Sequence, residues 1–140
     1  MIYSFTELSK EFKEIEHIKK NFDNVNRYSS LYSFFEYLWN NARARAKLRK
    51  REYTILIQDL YDLYKSQNGL CALSGIKLTY SKRNNKRISP YNISIDRIDS
   101  SKGYTKDNIH LVCASINSMK LDYSVQEFIE LCKQVYEFNR

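Results

Sequence analysis

The chain has few of the features found in secreted, membrane-spanning or low-complexity proteins. Its 140 residues include one Pro and three Gly, with no internal repeat and no low-complexity tract. Its three Cys have no paired spacing, so they do not form a disulfide framework. Because the N-terminus lacks both a basic start and a long apolar run, we expect neither a secretory signal nor a membrane span. We therefore expect a single domain over residues 1–140 in a soluble, cytoplasmic protein.

One segment, SIDRIDSSKGYTKDNIHLVCASINSMK at residues 94–120, combines polar residues with strand and turn signals. The alternation around it predicts a half-buried strand with Ser94 and Asp96 on one side. In the turn-rich loop that follows, Gly103 can take backbone angles closed to other residues, and the Asn108 amide can both donate and accept hydrogen bonds.

The second half of this segment returns along the first. Residues 109–113 alternate again and predict a second strand, and residues 114–120 have the composition of a helix. Asn117 falls in the first turns of that helix. The predicted order is therefore strand, loop, strand and helix.

This pattern resembles the HNH, or ββα-metal, endonuclease family. The family core has Asp-His on the first strand, a central Asn, and a His or Asn on the helix that is often followed by Lys. The matching residues here are Asp96-Arg97, Asn108, Asn117 and Lys120. A subset frequent among phage and restriction-type nucleases also carries a Cys-Ala-Leu-Ser-Gly turn and a Ser-Lys-Gly-Tyr loop, which match residues 71–75 and 101–104. The resemblance extends from about Arg43 to the C-terminus.

The resemblance implies an α+β fold with a ββα-metal core, N-terminal helices and a C-terminal packing helix. It also implies that Asp96 and Asn117 hold one divalent cation. Mg²⁺ fits two oxygen ligands completed by waters and phosphate, and Mn²⁺ is the alternative. Asn108 would hold the loop in shape, and Lys120 would pair with a phosphate.

Zinc is a second metal that many family members bind, through two Cys-x-x-Cys pairs. At the matching places this chain has Cys71-x-x-Ser74 and Cys113-x-x-Ile116, so one Cys of each pair is missing. Two thiolates do not complete a structural zinc site, so no structural zinc is expected. The three Cys, including Cys132, are predicted to be core residues.

The chain departs from the family at the residue that takes a proton from the attacking water. Arg97 replaces the family's His, and a guanidinium that stays protonated cannot act as a general base. We expect Arg97 to bind the scissile phosphate, with His110 or a metal-bound water as the base. Tyr104 and Tyr91 are nearby phenols that are more often packing residues.

Basic residues outnumber acidic ones by 23 to 16, which gives a net charge of +7 and favours a polyanionic partner. Either basic cluster alone would more often be a solvated face, but beside a nuclease motif both predict phosphate contacts. The clusters are Arg43, Arg45, Lys47, Arg49, Lys50 and Arg51, and then Lys82, Arg83, Lys86 and Arg87. Asn84, Asn85 and Arg87 are candidates for reading base edges.

The remaining segments are predicted to support this core. Residues 1–52 are helical, with a helix over about 5–20 that carries a surface His17, then an apolar stripe over 31–39 that ends in the basic arm at 43–51. Residues 53–123 form the nuclease core, where 53–57 is either a strand or the lead into a helix ending near Gly69. Residues 124–140 form a helix with a capping box that packs against the hairpin.

The sequence thus predicts a metal-dependent endonuclease of double-stranded DNA, possibly sequence-specific in a restriction or phage setting. A two-fold homodimer would match a palindromic target. Two alternatives stay open: a DNA-binding protein whose catalysis lapsed when the general base became Arg97, and a structure-specific nuclease acting on branched DNA or RNA.

Overall fold

The computed structural model describes residues 31–81 and 89–140, so the predicted helix over 5–20 and the loop cluster at 82–87 lie outside the described residues. The described elements, in chain order, are α1 (Leu31–Leu48), α2 (Ile57–Ser66), β1 (Ile93–Arg97), a 3-10 turn (Lys106–Asn108), β2 (Ile109–Cys113), α3 (Ala114–Lys120) and α4 (Val125–Asn139).

The first helix supplies one wall of the core. Its apolar positions recur at helical spacing, and Leu31, Phe35 and Ala42 are fully inaccessible to solvent. Ala46 is also buried, which keeps the helix close to its neighbours after the aromatic stripe has ended. The prediction of a buried stripe followed by basic residues is therefore confirmed, but the packing continues into the basic arm.

Residues 53–57 lead into α2 and do not form a strand of their own. Tyr53 makes a single parallel bridge to Tyr104, and the helix begins at Ile57. The Trp39 indole donates a hydrogen bond to the Ile55 carbonyl at 2.8 Å, and this bond ties the segment to α1. The helix ends at Ser66, as expected from the glycine at position 69.

The two strands pair as an antiparallel hairpin. The register places Ile93 opposite Cys113, Ile95 opposite Leu111 and Asp96 opposite His110. Ile93, Ile95 and Leu111 are buried in the core, whereas Ser94 and Asp96 point to the other face and contact α3. This is the side assignment that strand alternation predicts.

Gly103 is needed for close packing. A Cβ at this position would collide with the Glu52 carbonyl oxygen and lie 2.8 Å from the Glu52 Cβ. The adjacent Tyr104 N–H donates to that same carbonyl at 2.8 Å. The left-handed glycines of the described residues are Gly69 and Gly75. The predicted requirement for unusual backbone angles at Gly103 is therefore replaced by a requirement for space.

The C-terminal helix differs from its prediction. Its capping box is present, because the Ser124 hydroxyl accepts from the Glu127 N–H at 3.2 Å and the Glu127 carboxylate accepts from the Ser124 N–H at 2.8 Å. However, Phe128 is its one buried residue, and Cys132 is exposed. The predictions of an apolar face packed along the hairpin and of a core Cys132 are wrong. Within residues 31–81 and 89–140, no helix is long and apolar enough to cross a membrane.

Candidate active site

Asp96 lies near the centre of the hairpin and is buried together with two cationic or polar partners. Its side chain faces α3, where Lys120 Nζ lies 3.3 Å from both carboxylate oxygens. Across the strand pair, His110 Nε2 lies 2.7 Å from Asp96 Oδ2. The side-chain exposures are 6% for Asp96, 13% for His110 and 0% for Lys120. The Asp96 carboxylate is thus held by Lys120 from α3 and by His110 from β2.

The burial of Lys120 contradicts the prediction that this residue pairs with a phosphate. Its ammonium donates to Asp96 and to the Arg97 carbonyl, both at 3.3 Å, and no part of the side chain reaches solvent. A charge held in the interior must be compensated by partners of this kind. Lys120 therefore neutralises and orients Asp96.

Asn117 approaches the same region from the fourth residue of α3. Its amide nitrogen lies 2.6 Å from the Ser94 hydroxyl and 3.5 Å from the Ile95 carbonyl. Because a carbonyl can only accept, this assignment leaves the Asn117 Oδ1 pointing away from the strand. Ser94, which alternation placed beside Asp96, thus orients the amide, a role that the sequence interpretation did not assign to it.

A polar cavity of about 150 Å³ opens in front of these side chains. Strand β1, helix α3, the hairpin loop and one residue of α1 meet around it. It is lined by Arg45, Ser94, Ile95, Asp96, Arg97, Ser100, Tyr104, Asn117 and Leu121. His110 and Lys120 contact the Asp96 carboxylate but are not among the residues that line the cavity.

The donor set at this cavity fits a cation that keeps most of its waters. A carboxylate has about four acceptor positions, and on Asp96 His110 takes one at Oδ2 and Lys120 one at Oδ1, so acceptor positions remain for a cation. Asn117 Oδ1 adds a second oxygen. Residues 31–81 and 89–140 contain no group of three or more His, Cys, Asp or Glu that could enclose a metal. Two oxygens suit Mg²⁺, which is often bound by few protein ligands, better than zinc.

Arg97 extends along the hairpin loop and also lines the cavity beside Asp96. Its Nη1 donates to the Ser100 carbonyl at 2.5 Å and to the Lys102 carbonyl at 2.9 Å. The guanidinium carbon lies 5.5 Å from the centre of the Tyr104 ring. One nitrogen therefore holds the loop, and the guanidinium keeps further N–H donors that these two bonds do not use.

Asn108 closes the loop by hydrogen bonds to both of its walls. The amide nitrogen donates to the Asp99 and Gly103 carbonyls at 3.0 and 2.8 Å, and the amide oxygen accepts from the Asp99 N–H at 2.9 Å. Asp99 in turn accepts from the Ser101 hydroxyl and N–H, which lowers the pKa of its carboxyl group. Asn108 therefore contributes loop geometry and lies behind the cavity that Arg97 borders.

The structure fixes an orientation for His110 that the sequence left open. Its Nε2 is taken by the Asp96 carboxylate, and the residue lies outside the cavity lining. The phenols differ as well, because Tyr104 lines the cavity and is buried, whereas Tyr91 is about half exposed and lies outside the lining. His110 is thus placed to position Asp96.

The basic residues at 43–51 lie in different surroundings in the folded protein. Arg45 reaches the cavity beside Asp96, whereas Arg43 lies over the Trp39 ring at 5.3 Å. The remaining members of the arm, Lys47, Arg49, Lys50 and Arg51, are exposed or partly exposed around the end of α1. The second cluster, Lys82, Arg83, Lys86 and Arg87, and the base-reading candidates Asn84 and Asn85 fall outside the described residues.

Cys71 and Cys113 come together in the core, as predicted for small buried residues. The Cys113 N–H donates to Cys71 Sγ at 3.3 Å. Burial, with the nearby Cys71, raises the pKa of Cys113 to about 11. Burial acts in the same direction on Cys71, but hydrogen bonds from Ser74 and the neighbouring backbone outweigh it, so that pKa is lowered. The pair joins the turn before β1 to the end of β2.

Two further polar residues position the hairpin and were missed by the sequence interpretation. Asn92 is buried and accepts hydrogen bonds from Thr79 and Ser81 ahead of β1. Gln67 donates to the Leu111 carbonyl and accepts from the Leu111 N–H, so it joins α2 to β2. Their only sequence signal is an amide side chain next to an apolar segment, and this signal is too common to be informative.

Comparisons with known proteins bear on the fold. The chain matches no protein-family model, and no curated protein matches its sequence. A solved structure of the rare-cutting HNH restriction endonuclease PacI is similar, with a TM-score of 0.57 and 21% sequence identity over 83% of this chain and 84% of that chain. At this identity the likeness shows the fold alone. It confirms the predicted α+β architecture of N-terminal helices, a ββα unit and a C-terminal helix.

Proposed function

We propose that this protein is a divalent-cation-dependent endonuclease that hydrolyses phosphodiester bonds of double-stranded DNA. The observation that carries the proposal is the polar cavity where Asp96, Asn117, Arg97 and Arg45 converge at the open side of the ββα unit. Two oxygen donors and two guanidinium groups in one cavity suit a cation and a phosphate bound side by side. The fold likeness to a restriction endonuclease supports the same class.

In this proposal the side chains have separate tasks. Asp96 and Asn117 would hold one Mg²⁺, or Mn²⁺, and a bound ion would stabilise charge on the phosphoryl group and the leaving 3′ oxygen. Arg97 and Arg45 bind the phosphate and hold it in the cavity. Because Arg97 cannot accept a proton and His110 Nε2 is engaged by Asp96, a hydroxide bound in the cavity would supply the base.

Positioning comes from the residues behind the carboxylate. His110 and Lys120 keep Asp96 directed at the cavity, and the ammonium of Lys120 lies 3.3 Å from the Asp96 carboxylate in the interior. Asn108 and Arg97 shape the loop that forms the cavity rim. A single centre cuts one strand, so a double-strand cut requires a homodimer or two successive events.

The test is cleavage of supercoiled plasmid with Mg²⁺, with Mn²⁺ and with chelator. We expect nicking or cutting that needs the metal and that Asp96→Asn abolishes. Asp107→Asn is the matched control, because Asp107 is an exposed carboxylate outside the cavity lining. Discrete fragments would indicate a preferred sequence. Metal-independent cutting, or equal activity of the two variants, would contradict the proposal.

The second candidate is a DNA-binding protein without catalysis. The observation that favours it is the engagement of both Asp96 carboxylate oxygens by Lys120 and His110, which reduces the acceptor positions left for a metal. The same experiment separates the two functions. An intact plasmid under every metal, together with salt-sensitive DNA binding that Asp96→Asn leaves unchanged, would favour the binding protein.

A further inference from the structure

A second cavity, beside the proposed active site, has arginines as four of its six lining residues. It measures about 90 Å³, and the side chains around it include Arg45, Arg49, Arg51 and Arg97. Ala46 and Tyr104 complete the lining. Four guanidinium groups with no carboxylate among the lining residues form a strongly cationic recess.

The end of α1 brings three of these arginines together. Arg45 and Arg49 lie four residues apart and therefore project from one side of the helix. After the helix ends at Leu48, Lys50 adopts a left-handed conformation with φ 53°, and the Arg51 N–H donates to the Ala46 carbonyl at 2.8 Å. This helix-ending turn reverses the chain and returns Arg51 to the same side as Arg45.

Arg51 and Arg97 are held in place from the hairpin loop. Each donates from Nη1 to the Ser100 carbonyl, at 2.7 and 2.5 Å. A guanidinium has five N–H donors, so each keeps further donors for a ligand. Tyr104, under Arg97, supplies a flat wall to the recess. The positions of Arg51 and Arg97 are thus set before any ligand binds, which lowers the entropy that these two side chains lose on binding.

Among the described residues, no acidic side chain forms an ion pair with the arginines of this recess. Like charges converging at one place repel each other, and an anion in the recess removes that repulsion. Phosphate oxygens match the forked guanidinium donors in both charge and geometry.

The arginine recess also adjoins the proposed active site, because Arg45, Arg97 and Tyr104 line both cavities. From this arrangement we propose that the recess binds a second phosphate, next to the one held at Asp96, so that one nucleic-acid strand passes through both cavities. This inference rests on the proposed function for the identity of the strand. The ligand chemistry is a phosphate oxyanion, supplied by an internal phosphodiester or by a 5′-terminal phosphate.

The test measures binding in chelator, where no cleavage can occur. The probe is a fluorescent hairpin duplex with a 5′-hydroxyl end, titrated by anisotropy at several salt concentrations. Arg49→Gln removes a recess arginine whose side chain forms no hydrogen bond or ion pair with residues 31–81 and 89–140. We expect binding about tenfold weaker, the size of a lost charge-assisted hydrogen bond, and a log–log salt slope smaller by about 1.

Two comparison variants lose the same charge. Lys47→Gln lies on the same helix outside the recess, and Lys133→Gln lies on α4. Both should lose distinctly less affinity than Arg49→Gln, and Arg51→Gln should follow Arg49→Gln if its thermal unfolding is unchanged. Equal losses for Arg49→Gln and Lys47→Gln on both the 5′-hydroxyl hairpin and a 5′-phosphorylated duplex would overturn the recess, because they would indicate a diffuse basic surface.

The source of the phosphate follows from the probe. A difference between Arg49→Gln and Lys47→Gln on the 5′-hydroxyl hairpin assigns an internal phosphodiester, whereas one that appears only with a 5′-phosphorylated duplex assigns the terminal phosphate. Absence of plasmid cleavage together with this difference would reject the nuclease and retain the recess. Plasmid cleavage without a difference between Arg49→Gln and Lys47→Gln would retain the nuclease and reject the recess.

Discussion

The ββα unit and the C-terminal helix bury their side chains to very different extents. In the ββα unit even the charged Lys120 has no exposed surface, and Asp96 and Asn108 are nearly inaccessible. In α4, Phe128 is buried but Val135 is 65% and Phe138 89% exposed. The polar side chains of the first region are therefore fixed by specific partners, whereas the second is held by its capping box and its first turn.

The largest difference in the free energy of unfolding between the two regions should follow from removing the buried ammonium of Lys120. Lys120→Met leaves the Asp96 carboxylate with only His110 as a partner, and breaking a buried ion pair costs about 3–5 kcal/mol. Denaturant unfolding measures the loss. Lys133→Met, on the exposed surface of α4, is the control and should stay within about 0.5 kcal/mol of the parent. Equal midpoints for the two variants would remove the distinction between the regions.

Truncation of one apolar side chain in the ββα unit and one in α4 tests whether the two regions differ in packing. Leu111→Ala opens a cavity in the core and should destabilise the protein by about 2–5 kcal/mol. Val135→Ala, on α4, should change the free energy of unfolding by no more than about 0.5 kcal/mol. Thermal unfolding of both variants gives the values. A comparable loss for Val135→Ala would mean that the α4 surface is packed in solution, as the sequence predicted.

Removal of the buried Asn108 side chain should destabilise the protein less than the two substitutions above, and the exposed Asn139 is its control. Asn108→Ala leaves carbonyl and N–H groups of the loop without partners, at about 1–3 kcal/mol. Asn139 also donates a hydrogen bond, to the Val135 carbonyl, but its side chain is exposed. Asn139→Ala should therefore be nearly neutral. Hydrogen exchange of the hairpin amides would show local opening for Asn108→Ala only.

The smallest effect concerns the cap of α4. Ser124→Ala should cost about 1 kcal/mol. The pKa of Glu127 is lowered by the N–H and hydroxyl of Ser124, so its contribution is present above the pKa of the unfolded chain and is lost as the pH falls through the lower folded pKa. Glu127→Gln should therefore be less helical than the parent at pH 7 and similar at pH 3. Circular dichroism measures this, and a constant difference would contradict the assigned cap.

The sequence was sufficient for the local geometry of the ββα unit. Alternation assigned Ser94 and Asp96 to one face, and the motif spacing located Asn117 on the helix. The role of Lys120 could not be predicted, because its burial depends on how α3 packs across the hairpin. Likewise, the apolar face of α4 is periodic, but periodicity specifies which side is apolar and does not supply a partner for it.

The positions of the arginines in the folded protein also could not be predicted from the sequence. Their clustering along the chain indicated a polyanionic ligand, but Arg43 lies over Trp39 while Arg45 reaches the cavity. Arg97, which precedes the loop, joins Arg49 and Arg51 only because the hairpin loop packs against the end of α1. Contacts between distant segments decide which members of a charged run share a site.

The most direct test of the central claim, that Asp96 and Asn117 hold the catalytic ion, is a change of metal preference. Asn117→Cys replaces an oxygen ligand by a thiolate, which binds Mg²⁺ poorly and Cd²⁺ well. The measurement is single-turnover cleavage of plasmid with each metal, and Ser118→Cys, at the exposed neighbouring position, is the control. We predict that Asn117→Cys loses cleavage with Mg²⁺ and regains it with Cd²⁺, whereas Ser118→Cys keeps the parent's preference. Unchanged metal preference in Asn117→Cys, or no cleavage by the parent protein with any metal, would contradict the claim.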